Sequence, residues 1–394
     1  MNASRSVLLA GGGTAGHTSP LIATGLELRR LSPELGLTAL GTARGLETRV
    51  VPAAGLELEL IPPVPMPRRA GKDLALVGPR LVQAVTATVR VLRQIQADAV
   101  LGFGGYVSTP AYLAARRLGL PLVIHEQNVL PGLANKLAAR LTSDVYTSFP
   151  RTSLPHARCI GLPLRRAITD LDRAALRREA RSGFDLDPDL PALLVSGGSQ
   201  GALRINTAVA GAWPELLANG IQVLHVLGPK NLVPGIERSV DEGTGAVYQP
   251  VAYVEQMERA YAATDLMLGR CGANTVMETA AVRLPAVFVP YPHGNGEQAL
   301  NAELVVNAGG GILLADDDCT SVWVAQEIPA LFAHPDRLAG MSEALAGVAR
   351  LDAATVLASR VLEVIRRRVC SLPSSCRCRT SWERCTSLPS AVLA

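Results

Sequence analysis

A chain of 394 residues with 48% hydrophobic residues and a mean hydropathy of +0.23 is too long for one ordinary core and too apolar to stay unfolded, so about two packed domains are expected. The formal net charge of +4 is too mild at this size to argue for nucleic acid. The sequence has neither an apolar run of about 20 residues nor a basic-then-apolar leader, which argues against a membrane span and a secretory signal and for a cytosolic protein.

The first strand-like run, residues 6 to 10, opens into "GGGTAGH". Gly11-x-Gly13-x-x-Gly16 fits the dinucleotide fingerprint, in which glycines let the backbone approach a pyrophosphate at a helix N-terminus. That fingerprint also needs an acid at the end of the second strand. The second run, residues 36 to 42, ends in Gly41 and Thr42, and the nearest acid, Glu34, precedes it. A nicotinamide site is therefore disfavoured. The turn is expected to be an anion cradle, with His17 directly behind it as a functional candidate.

Further runs at 37 to 41, 99 to 101, 122 to 124 and 144 to 147 alternate with helical patterns, as in a parallel sheet covered on both faces. "LGFGGYVSTP" (101 to 110) and "VIHEQNVLPG" (123 to 132) put Gly104, Gly105, His125, Glu126 and Asn128 at strand C-terminal ends, where the crevice of such sheets lies. A buried core histidine is an equally available reading of His125. The series restarts at 191 to 217 with a strand, the turn Gly197-Gly198-Ser199-Gln200-Gly201 and a helix, and continues with strands in 223 to 229, 246 to 254, 265 onward and 285 onward. The expected fold class is α/β: two doubly wound Rossmann-like domains facing a deep cleft. Residues 1–163 form the first domain, 164–345 the second, and a last helix, 346–368, returns to the first.

The second glycine turn suits a diphosphate, with the Ser199 hydroxyl as a donor. Glu278, within "GRCGANTVMETAAV", could take two ribose hydroxyls or be a solvated helix acid. Asn295, Glu297 and Gln298 in the loop 292 to 302 could read sugar hydroxyls or be a plain polar loop. Asp316, Asp317 and Asp318 read as a surface turn. With no Asp-x-Asp motif near the diphosphate turn, neither a catalytic metal nor a cofactor is expected.

Cys159, Cys271 and Cys319 are widely spaced and suit reduced thiols, whereas Cys370, Cys376, Cys378 and Cys385 crowd a tail, 369–394, that lacks periodicity and zinc-site spacing. That tail reads as disordered or as a foreign extension.

Taken in order, "GGGTAGH", "GFGGY", "HEQN", "GLPLR", "GGSQG", "GRCGANTVMET" and "GNGEQALNA" resemble the motif series of the MurG family, N-acetylglucosaminyltransferases acting on undecaprenyl-pyrophosphoryl-MurNAc-pentapeptide. The resemblance runs from about residue 5 to about residue 368; Ala15 stands where many members have glycine. It implies a glycosyltransferase B-type fold in which the second domain binds UDP-GlcNAc and the first the lipid acceptor. Thr14, Gly16, Arg165, Ser199, Gln200, Val254, Glu278, Glu297 and Gln298 would bind the donor, with Gly13, Gly104, Gly105 and Asn128 on the acceptor side. Transfer would proceed by inversion, with His17 as general base and His125 in reserve. Another UDP-sugar glycosyltransferase or a UDP-GlcNAc epimerase of the same architecture is the alternative.

A lipid-anchored acceptor implies a peripheral protein at the cytoplasmic face of the cell membrane, with other cell-wall synthesis proteins as candidate partners. The stretch 64 to 96 supplies basic groups beside apolar ones: Arg68, Arg69, Lys72 and Arg80 with Leu74, Leu76, Val77 and Leu81. The same apolar residues could instead pack an ordinary amphipathic helix into the core.

Overall fold

The computed structural model describes residues 5–64, 72–198, 202–293 and 295–371, with backbone alone at 72–75 and 369–371. Seven strands form a first sheet: β1 (Ser6–Ala10), β2 (Gly36–Gly41), β3 (Glu57–Leu60), β4 (Ala99–Gly102), β5 (Leu122–Glu126), β6 (Asp144–Thr147) and β7 (Ala157–Cys159), in the order β3-β2-β1-β4-β5-β6-β7. A second sheet contains β8 (Ala192–Ser196), β9 (Gln222–Val226), β10 (Ser239–Val240), β11 (Val247–Val251), β12 (Leu266–Gly269), β13 (Ala286–Phe288) and β14 (Gly311–Leu313), in the order β10-β11-β9-β8-β12-β13-β14. All pairings are parallel except β10 with β11.

The central strands are continuous apolar runs because helices cover both faces. Leu8 and Ala10 enter one hydrophobic cluster while Val7 and Leu9 enter the other, as the alternation of strand side chains requires. Sequence periodicity missed β3, β7, β10 and β14. All four are edge strands of two to four residues, too short to show a period, and in Glu-Leu-Glu-Leu the charges suppress the apolar signal further.

In each sheet the strand order reverses beside the first strand, between β1 and β4 and between β8 and β12, and the glycine turns leave the sheets at these switch points. The last helix, Ala353–Ser371, starts later than expected, after turns at 346–352. It buries Leu357, Ala358, Val361 and Ile365 in the cluster that holds Val7 and Leu21 of the first sheet's side. Its Thr355 hydroxyl donates to Glu27 at 2.7 Å, and Arg360 donates to the Tyr146 hydroxyl at 2.9 Å.

The helix Lys72–Gln94 divides its apolar residues. Ala84, Thr88 and Leu92 are buried, and Val77 and Leu81, expected at a membrane, pack partly against the core. Leu76 (45% exposed) and Val82 (67%) face outward, and Arg80 is half-buried. Arg68 and Arg69 lie outside the described residues, as do the side chains of Lys72 and Leu74 and the tail beyond 371. No helix among the described residues is long and apolar enough to cross a membrane.

Candidate active site

The first turn leaves β1 through Gly11, Gly12 and Gly13 (φ +91°) into Thr14, whose extended backbone caps the helix Ala15–Leu31. The acid missing from the end of β2 is nearby in space. Glu47, buried at the start of the helix Glu47–Ala53, accepts the Gly13 amide at 2.9 Å on one oxygen and the Thr42 amide at 2.9 Å on the other. The expectation of an open anion cradle therefore fails at Gly13, whose N–H is already bonded. Only proximity reveals Glu47, which follows the strand end by six residues rather than sitting at it.

His17 is half-buried, and its Nδ1 lies 2.9 Å from the Phe103 carbonyl and 3.0 Å from Gln127 Oε1. Both partners are acceptors, because Gln127 spends its amide hydrogens on His125, 2.8 Å from the carbonyl and 3.2 Å from Nδ1. Nδ1 of His17 thus carries the proton, and Nε2 holds a lone pair with no protein partner among the described residues. The ring lies against Gly104 and Gly105, where a Cβ would come within 3.5 Å of Cε1 and 3.1 Å of Cδ2, and both glycines have positive φ.

A buried chain of hydrogen bonds braces this wall. The Gly104 amide donates to the Tyr112 hydroxyl, which donates to Asn135 Oδ1; Asn135 Nδ2 donates to Glu126, whose other oxygen accepts the Asn128 amide. His125 does not join the reactive groups. It is fully buried, its Nε2 donates to the Gly161 carbonyl at 2.9 Å, and burial pushes its pKa down to about 4. The reserve-base expectation gives way to the structural reading, because neither ring nitrogen can reach a substrate.

In the second domain Gly197 follows β8 in a buried position, but Ser199, Gln200 and Gly201 lie outside the described residues. Arg165 precedes a short helix, Arg166–Thr169, and donates to Glu258 at 3.1 Å. Glu278, in the helix Ala273–Ala281, is not a solvated helix acid: it is half-buried and accepts the Tyr261 hydroxyl at 2.8 Å, and burial raises its carboxyl pKa above the ordinary value. Val254 is buried in the loop between β11 and the helix Met257–Ala263. Gln298, near the start of the helix Glu297–Asn307, accepts the Tyr291 amide with Oε1, and Asn295 accepts the Glu297 amide.

Arg270 was not singled out from the sequence. It donates to the Val289 and Pro290 carbonyls, pairs with Asp316 and stacks 5.6 Å from the Tyr291 ring, bracing the strand that leads to Gln298. Asp316, Asp317 and Asp318 do form a turn, in which Asp317, paired with Arg204, and Asp318 are exposed while Asp316 is a largely buried partner of Arg270.

The two sheets meet across these groups. Asn274 Nδ2 donates to the Ala15 carbonyl at 2.9 Å, two residues before His17, while its Oδ1 is buried without a partner among the described residues. Asn301 bonds Asn128 and Val129, Arg151 pairs with Glu303, and the Arg49 guanidinium lies 5.2 Å from the Tyr253 ring centre. Through Asn274 and Asn301, the helices that carry Glu278 and Gln298 thus meet the first sheet's side next to His17 and at Asn128.

The profile of the glycosyltransferase family 28 N-terminal domain matches residues 7–147, and that of the family's C-terminal domain matches residues 192–357. The chain belongs to glycosyltransferase family 28. Its similarity to family 28 members extends over nearly its whole length. A Nocardioides UDP-N-acetylglucosamine--N-acetylmuramyl-(pentapeptide) pyrophosphoryl-undecaprenol N-acetylglucosamine transferase is 56% identical, covering 91% of this chain and 98% of the relative. The Streptomyces coelicolor protein of the same name is 52% identical, over 92% and 99%. Acinetobacter baumannii MurG superposes with a TM-score of 0.67 at 24% identity, covering 91% of this chain and 99% of that one. A calicheamicin glycosyltransferase superposes at 0.61 and 19% identity, over 93% and 99%. These superpositions establish the B-type fold of this family 28 chain.

Proposed function

We infer that the protein transfers N-acetylglucosamine from UDP-GlcNAc to the 4-hydroxyl of MurNAc in undecaprenyl-pyrophosphoryl-MurNAc-pentapeptide, converting lipid I to lipid II in peptidoglycan synthesis. The observation that carries the chemical reading is the orientation of His17: Nδ1–H is held by Phe103 and Gln127, leaving Nε2 as an acceptor at the domain junction. A neutral imidazole held this way can take the proton of an attacking hydroxyl. The 4-hydroxyl oxygen forms its bond to the anomeric carbon as the bond to the UDP oxygen breaks, so configuration inverts.

In this reading Gly13, Gly104, Gly105 and Asn128 line the acceptor side. Thr14, Gly16, Arg165, Ser199, Gln200, Val254, Glu278, Glu297 and Gln298 bind the donor. Arg165 and the second glycine turn offset the charge growing on UDP, an electrostatic role suited to a preorganised cation and helix N-terminus. Domain boundaries at 1–163 and 164–345, with 346–368 returning, complete the assignment. The protein works on the cytoplasmic face of the membrane as a peripheral protein, drawn to anionic lipid by the basic stretch around Arg68, Arg69, Lys72 and Arg80.

The deciding assay incubates the protein with UDP-GlcNAc and a short-chain lipid I analogue. UDP release matched by a disaccharide product is expected; binding of UDP-GlcNAc without transfer to any acceptor would overturn the reading.

A further inference from the structure

We propose that Glu47 is a positioning residue: an internal carboxylate that fills the anion seat of the first glycine turn and holds that turn, and His17 behind it, in working register. The inference rests on the assignment of His17 above. Glu47 is fully buried, yet no arginine or lysine pairs with it among the described residues; its recorded partners are the Gly13 and Thr42 amides and the Thr42 hydroxyl. Amide dipoles aimed at a carboxylate are how a glycine turn at a helix N-terminus binds an external anion.

The surroundings are shaped to that carboxylate. An added Cβ would lie 2.8 Å from its oxygen at Gly12, 2.6 Å from its Cγ at Gly41 and 2.0 Å from both oxygens at Gly45. Gly12 and Gly45 from two loops and Gly41 from the end of β2 thus close around one side chain, which a Cβ at any of them would displace.

The turn connects this seat to the reactive group. Gly13 is followed by the helix cap Thr14 and, one turn on, by His17, whose own amide bonds the Thr14 carbonyl at 3.2 Å. The Gly12 carbonyl abuts Gly105, where an added Cβ would come within 2.6 Å of it, and Gly105 is part of the wall under the imidazole. Moving Gly13 therefore shifts both the backbone that carries His17 and the surface on which its ring rests. A second consequence concerns the acceptor: its diphosphate cannot use the Gly13 amide, because the protein's own carboxylate occupies it.

Two variants and two readouts test this. Glu47→Gln keeps the shape but offers one acceptor oxygen to amides that need two, so amide exchange of the peptide spanning 7 to 20 should quicken. Turnover should fall about 10- to 100-fold, the scale of losing a hydrogen bond to a charged acceptor, with UDP affinity within about twofold of wild type. Glu47→Ala should fall further, and formate, a carboxylate small enough for the vacated seat, should restore part of its turnover while leaving the wild type unchanged. Wild-type exchange and turnover in Glu47→Gln, or a folded Glu47→Ala that formate does not help, would overturn the proposal. Exchange is read without substrates, so it judges Glu47 even where the wild type fails on the lipid I analogue, an outcome that would overturn the assigned reaction alone.

Discussion

Asn301 of the second domain donates its side-chain amide to Asn128 Oδ1 of the first at 3.1 Å, while its own Oδ1 accepts the Val129 amide at 3.0 Å. Asn301 is fully buried, so neither bond has water as a ready substitute. The rotamer of Asn128, assigned to the acceptor side, is thereby set from the donor domain. Asn301→Asp should keep the bond to Val129 and put a carboxylate oxygen against the Asn128 carbonyl. A loss of about 1–3 kcal/mol in transition-state stabilisation, some 5- to 150-fold in kcat/KM, is expected. A double-mutant cycle with Asn128→Ala should show strong coupling; additive losses would mean that the contact does not serve the reaction.

His17→Ala should lower turnover by about 100- to 10,000-fold with UDP binding unchanged, because loss of a general base acts on the transition state. Stopped-flow turnover beside calorimetric UDP binding separates the two effects. Near-normal turnover would remove His17 from the mechanism, and the burial of His125 leaves that residue unable to replace it.

Glu278 can accept ribose hydroxyls on both oxygens only as a carboxylate, and burial raises its pKa above the ordinary carboxyl value. The apparent KM for UDP-GlcNAc should therefore rise as pH falls through that raised value, at a higher pH than an exposed glutamate would produce. The Tyr261 hydroxyl bond opposes the shift, so Tyr261→Phe should move this limb to still higher pH. Glu278→Ala should abolish it and weaken donor binding by about 1.5–3 kcal/mol, leaving the acceptor KM nearly unchanged. A pH profile identical in all three proteins would place the ribose contact elsewhere.

Binding to anionic vesicles should weaken with salt and should weaken further in the combined Arg68, Arg69, Lys72 and Arg80 to Ser variant, each charge contributing about 1 kcal/mol. Leu76→Ser with Val82→Ser should add to the loss, since these side chains face outward, whereas Val77 and Leu81 pack inward and serve stability. Sedimentation with vesicles measures both, alongside activity on a short-chain acceptor, which should persist. Vesicle binding that ignores all six substitutions would put the membrane contact on another surface.

Much of the architecture was legible in the chain itself. Apolar runs such as Val7–Leu9 and Leu193–Val195 are buried on both faces, so their hydropathy alone marks central parallel strands, and the repeated strand, glycine turn and helix gives two doubly wound units. The edge strands escaped because they run for only two to four residues, too few to show a period, and because half-exposed positions, as in Glu-Leu-Glu-Leu, tolerate charge. The motif order also pointed to the family, since each motif is local and keeps its spacing wherever the chain folds.

What each motif residue does was decided by neighbours distant in sequence. As written, His17 and His125 are both candidate bases, the first favoured and the second in reserve. Phe103 and Gln127 leave the first a ring nitrogen with no partner among the described residues, while the packing around the second removes water and commits both of its nitrogens. The sequence placed no acid at the end of β2, yet folding turns Glu47 back onto Gly13 and closes the cradle that the glycines had suggested. Asp316 read as one of three surface aspartates until Arg270 met it from another element, and Asn301, not singled out in the sequence, takes its role from the contact with Asn128. Periodicity reports which face of an element is buried; only the tertiary fold supplies the hydrogen-bond partner that makes a buried polar group stable and assigns it a role.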